Sequence, residues 1–149
     1  MIESLVASQS SLCRQLYPLA HVQDWRPGED RWSFRFLAAH LAAAERECFQ
    51  ERIHRIAAGE KPLLEYYSDT GRNFRDCDLR LSLGSWQGTR KALFAFVRGL
   101  PGSAWAMTGV HERDGTIGIW EVLLSMQAHD REHLEELDGM MMRYRALER

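Results

Sequence analysis

The run His129-Asp130-Arg131-Glu132-His133 sets two imidazoles four residues apart. On a helix, side chains at i and i+4 are neighbours, with about 5–6 Å between Cβ atoms. Both rings can then turn onto one cation. The surrounding pattern argues for a helix. Advancing about 100° per residue through 120–144, Val122, Leu123, Met126, His133, Leu137, Met140, Met141 and Tyr144 share one face. Glu121, Ser125, Glu132, Glu135 and Arg143 take the other. Asp130 sits inside the apolar stripe, beside His133, with His129 on its edge. An unpaired ionisable group facing a core is costly, so these three need either a metal or hydrogen-bond partners.

A third imidazole, His40, lies at the edge of another apolar stripe, among alanines at 38, 39, 42, 43 and 44. Small neighbours let a second helix approach and leave the ring room to point inward. Three neutral imidazoles from His40, His129 and His133 suit zinc, nickel or iron(II). They leave at least one coordination position for water or a small-molecule substrate, as catalytic sites do. Asp130 is the candidate acceptor that orients an imidazole, or a base. Glu47 and His111 are candidates to hydrogen-bond or close the site, or to be surface groups. His21 and His54 read as solvated. Rival motifs fit poorly. A zincin needs Glu where Asp130 stands, and a di-iron bundle needs Glu-x-x-His on two helices. No phosphate-cradling loop or GxSxG elbow is present.

Four helices must position these groups. The first is expected over 3–19, with Leu5, Gln9, Leu12, Leu16 and Leu19 inward. The second opens at Asp30 or Ser33, both acceptable caps, buries Leu37, Leu41, Ala44 and Cys48, and stops before Gly59 and Pro62. Residues 60–80 show no sustained period and read as a long crossover, which in a compact domain is often functional. The third helix is expected from Ser82 to Arg98, with Leu83, Trp86, Leu93 and Val97 inward. Residues 104–118 read as a connection, with Thr116 capping the last helix. The fold class is therefore an all-α bundle in a single domain, 1–149.

Composition narrows the function classes. With 149 residues, 45% hydrophobic and 27% charged, the chain can bury an ordinary core. A net charge of −2 without a basic stripe gives no footprint for nucleic acid. No stretch is long and apolar enough to span a membrane. Met1-Ile2-Glu3-Ser4 does not begin a signal peptide, and three cysteines without a CxxC are expected to stay reduced, so a cytoplasmic location is expected.

Two segments add a resemblance. Trp32-Ser33-Phe34-Arg35-Phe36-Leu37-Ala38-Ala39-His40-Leu41-Ala42-Ala43-Ala44-Glu45 resembles the second-helix signature of the DinB/YfiT-like metalloenzymes, and Met126-Gln127-Ala128-His129-Asp130-Arg131-Glu132-His133-Leu134 their last-helix signature. Where many members carry Gly-Gln after the final histidine, this chain has Leu134-Glu135-Glu136. The resemblance implies a four-helix up-down-down-up bundle with the long crossover between helices 2 and 3, a homodimer, and a divalent ion held by His40, His129 and His133. It also implies metal-assisted chemistry on a low-molecular-weight thiol, or a related hydrolysis. The alternative is a metal-binding or stress-related interaction module without catalysis.

Overall fold

The structure is a computed structural model and describes residues 1–149. Helix α1 (Ile2–Leu16) passes into a 3-10 turn, Tyr17–Val22, so its α-helical part is shorter than the apolar stripe suggests. Ser33 opens the second rod, its side chain accepting from the Phe36 N–H at 3.1 Å. That rod is α2 (Phe34–Ala44), a π-helical stretch (Glu45–Gln50) and α3 (Glu51–Ala57). Helix α4 (Leu79–Arg98) starts earlier than the expected Ser82, because Asp78 caps it and accepts from the Leu81 N–H at 3.1 Å. Helix α5 runs Ile119–Leu147.

The connection over 104–118 is not a plain loop. It forms a hairpin, β2 (Thr108–His111) against β3 (Gly115–Gly118), and β1 (Leu63–Leu64) from the crossover joins β2 in parallel. Thr116 therefore lies in a strand. Gly118 caps α5 instead, and the Glu121 carboxylate accepts the Gly118 N–H at 2.8 Å. Gly109 is needed where β2 presses on the crossover, since a Cβ there would meet the Pro62 carbonyl oxygen at 2.9 Å. Strands of two to four residues are too short to print an alternating pattern on the sequence.

Paired contacts give the helix directions. Arg35 donates to the Cys77 carbonyl, and farther along Glu45 meets Trp86 and Arg90, so α2 and α4 run parallel. Gln127 meets Ser4 and Asp130 meets Ser8, so α1 and α5 are also parallel. Phe34 packs on Tyr144 while Phe49 packs on His129, so the two pairs oppose each other. This is the up-down-down-up bundle, and two parallel consecutive rods require the long crossover.

The core divides into two apolar blocks. One holds Leu5, Phe49, Ile53, Leu93 and Met126; the other holds Leu12, Leu41, Trp86, Leu137 and Met140. Between them lies a buried polar layer with Arg90 at its centre. Its Nε and Nη2 donate to Glu45 at 2.9 and 2.8 Å. Its Nη1 and Nη2 donate to Asp130 at 2.6 and 3.0 Å, and Nη1 also reaches the Leu5 carbonyl at 3.1 Å. Five N–H groups thus meet five acceptors, the full capacity of a guanidinium. Trp86 adds a bond to Glu45 at 3.2 Å, and the Ser8 hydroxyl donates to Asp130. Both carboxylates hold the Arg90 pKa above its usual range despite burial.

Arg90→Met strands two buried carboxylates and is expected to cost about 3–5 kcal/mol, read as a lower urea midpoint. Replacing Arg90, Glu45 and Asp130 together with Met, Leu and Leu should recover most of that loss. A single-variant loss under 1 kcal/mol would show that the layer does not matter to stability.

Candidate metal centre

His40 projects from α2, and His129 and His133 from α5. The antiparallel packing of these rods turns the three rings together. The Nε2 atoms of His40 and His129 are 2.9 Å apart, and each is 3.1 Å from Nε2 of His133. One ligand atom from each residue falls within 4.8 Å of the others, close enough to hold a single ion. Trp32 covers two of the rings, with centroids 4.6 Å from His40 and 5.7 Å from His133, and Phe49 packs edge-on against His129 at 5.3 Å.

The outer ring nitrogens decide the tautomers. His40 Nδ1 bonds to Asp69, and His133 Nδ1 lies 2.8 Å from Glu136 Oε2. A carboxylate only accepts, so both Nδ1 atoms carry the proton and both Nε2 atoms present bare lone pairs. Burial lowers the His40 pKa, outweighing the opposing pull of Asp69. Burial lowers His129 to about 2, with His133, His40 and Arg90 adding to the effect. Neutral imidazoles with lone pairs facing one another form the donor set a borderline cation needs. Two nitrogens about 2.0–2.1 Å from a common ion and at right angles lie about 2.9 Å apart. The observed spacing fits.

Asp69 is buried, and its second oxygen accepts from the Tyr67 hydroxyl at 2.9 Å. The same phenol lies 2.8 Å from Glu47, whose carboxylate also pairs with Arg72. One phenolic proton is shared between two carboxylates, and burial with those two neighbours drives the Tyr67 pKa upward. The crossover thus fixes the orientation of a ring on α2. The rings open onto a cavity of about 760 Å³ whose walls also include Phe49, Arg52, Tyr66 and Arg113. Cys48 lines it as well, but burial pushes its thiol up to about 11 and it remains a core residue.

His40, His129 and His133 are brought together as the spacing suggests. Asp130 is not the group that orients them, because its oxygens are taken by Arg90 and Ser8 within the polar layer. Asp69 and Glu136 hold the rings instead. Glu136 stands three residues after His133, a spacing that places it over the same helical turn. Asp69 comes from an aperiodic segment, and only the length of that crossover hinted at it. Glu47 reaches Tyr67 and Arg72 and not an imidazole. His111 is buried in β2, between Asp114 at 3.0 Å and Arg52 at 3.3 Å, and stands outside the cluster. His21 and His54 are exposed, His54 stacking on Phe96.

The chain resembles a solved structure described as "YfiT from Bacillus subtilis is a probable metal-dependent hydrolase with an unusual four-helix bundle topology". The two share 18% identity with a TM-score of 0.79, over 98% of this chain and 85% of that one. At that identity the likeness establishes the fold. A search of curated protein sequences finds no match. The sequence model of the DinB superfamily matches residues 22–137, a span that runs from the end of the first 3-10 turn through all three histidines, and the chain belongs to that superfamily.

Proposed function

We propose that this protein is a divalent-metal-dependent enzyme whose ion is held by Nε2 of His40, His129 and His133. One observation carries the reading: the Nε2 atoms of three imidazoles face one another at 2.9–3.1 Å at the wall of an open cavity. A divalent ion there supplies Lewis acidity, which brings the pKa of a water or a small thiol towards neutrality. The reaction class is attack of that nucleophile on an electrophilic small molecule, as hydrolysis or as thiol transfer. The hydrolytic form is supported by the description of YfiT, and the thiol form by the family resemblance alone.

The chain's own residues supply orientation and shelter. Asp69 and Glu136 hold the Nδ1 protons, so the inner nitrogens stay free to bind. Trp32 and Phe49 screen the rings from water and lock their planes. Three ligands from two rods leave part of the ion's shell for substrate, and the cavity has room for one of ordinary metabolite size.

Protein purified without a histidine tag should take up about one equivalent of zinc or nickel per chain, read by elemental analysis. His129→Ala should abolish uptake. Asp69→Asn, which keeps the ring but weakens its anchor, should lower affinity about 10–100-fold. Metal should raise the melting temperature of the wild type and not of His129→Ala. Metal uptake without turnover of any ester, amide or thiol-acceptor panel would favour the non-catalytic module.

The metal-free protein should also lose stability in acid. His40 and His129 have folded pKa values below the ordinary 6.5, so the unfolded chain binds the extra protons. Their contribution is complete above about pH 6.5 and declines as pH falls below it. Urea midpoints measured at pH 7.5 and 5.5 check this; a wild-type midpoint that does not fall between them, or that falls just as far in His129→Ala, would refute it.

A further inference from the structure

The cavity also carries cationic side chains that the metal reading does not use. Three arginines line it: Arg52, Arg72 and Arg113. Arg72 is neutralised by Glu47 and Asp69. Arg52 has no carboxylate partner; its Nη2 meets the Glu65 carbonyl at 2.6 Å and His111 Nε2 at 3.3 Å. Arg113 has none either, and its guanidinium lies 3.5 Å from the centroid of the Tyr66 ring. Among the carboxylates on the same cavity, Asp69 is taken by His40 and Tyr67, and Asp114 is exposed, 3.0 Å from His111. Glu132 is exposed on α5, the helix of the two paired histidines. Arg52 and Arg113 are therefore the two guanidiniums on this cavity with no carboxylate within ion-pair distance.

We propose that the substrate bears an oxoanion, a carboxylate or a phosphate, on the arm remote from the metal, and that Arg52 and Arg113 receive it. This rests on the reading of the cavity as a substrate site. A guanidinium presents a planar fork of N–H donors that matches either oxoanion. Both forks are already restrained, Arg52 by a carbonyl and an imidazole and Arg113 by an aromatic face, so less freedom is lost on binding. Phe49 touches His129, and Arg52 follows three residues later on the same rod, about 4.5 Å along it at the helical rise per residue. Phe49, Tyr66 and Tyr67 also line the cavity, which suits a short apolar or aromatic linker between the reacting group and the anion.

The test uses metal-free protein at pH 8 and three probes of one shape: phenyl phosphate, phenylacetate and neutral 2-phenylethanol, titrated calorimetrically. At least one anion should bind about 10-fold or more tightly than the alcohol, and its affinity should fall as salt rises. Arg52→Gln and Arg113→Gln should each weaken the anion about 10-fold and leave the alcohol unchanged, whereas Arg98→Gln, an exposed arginine outside the cavity, should bind the anion as wild type does. Whichever anion binds more tightly names the oxoanion. Equal affinity for alcohol and anions, no anion binding at millimolar concentration, or unchanged binding in the arginine variants would each overturn the proposal. Arg113 is exposed, so Arg113→Gln carries the test if Arg52→Gln fails to fold. Zinc uptake, measured on the same preparations, should be unaffected by either arginine change. Absence of zinc uptake in wild type with anion binding intact overturns the metal reading and leaves this one standing.

Discussion

The Arg90 guanidinium is the constraint on which the bundle depends. Its five donors reach a carbonyl on α1, a carboxylate on the second rod and a carboxylate on α5, so one side chain from α4 ties all four helices at a single level. Apolar stripes alone permit helices to slide or rotate by a turn, because one leucine-sized knob replaces another. A charged layer does not, since any slip leaves a carboxylate unpaired in a dry interior. Asp130 belongs to that layer and stands between His129 and His133. The register set in the core is therefore the register that presents both α5 imidazoles to His40.

The centre and the polar layer are neighbours with opposite logic. In the layer, every donor and acceptor is matched within the protein. In the centre, the outer nitrogens of His40 and His133 are matched while the inner ones are left facing each other. Burial favours neutral rings and so keeps protons from filling the gap. The crossover is part of this design, because Asp69 and Tyr67 arrive on it and β1 stitches it to the hairpin that leads into α5.

The sequence conveyed what repeats along a helix. Leucines at helical spacing outlined all four rods, and His40, His129 and His133 stood on inward edges that the structure brings together. Groups whose partners lie far away in the chain were not legible. Arg90 sits in α4 as one polar residue among others, and its burial follows from carboxylates 45 residues before it and 40 after it. Asp130 reads as a core-facing acid, yet its partner is Arg90 and not an imidazole, because helical spacing shows which way a side chain points and not what meets it. Asp69 lies in a segment with no period. The three strands leave no mark on the sequence, because pairing, and not pattern, makes segments that short into a sheet.

The π-helical stretch Glu45–Gln50 has one more consequence. A π-turn accommodates an additional residue in the hydrogen-bond ladder, which re-phases everything beyond it by about 100° relative to an unbroken helix. His40 lies before this joint; Cys48 and Phe49 lie within it and Arg52 after it. Losing or gaining one amino acid at the joint swivels a different set of side chains into the far end of the chamber while the imidazole upstream stays put. The rod thus behaves as a fixed handle with an adjustable bit, a simple route by which one end of the chamber can be relined without disturbing the histidine cluster.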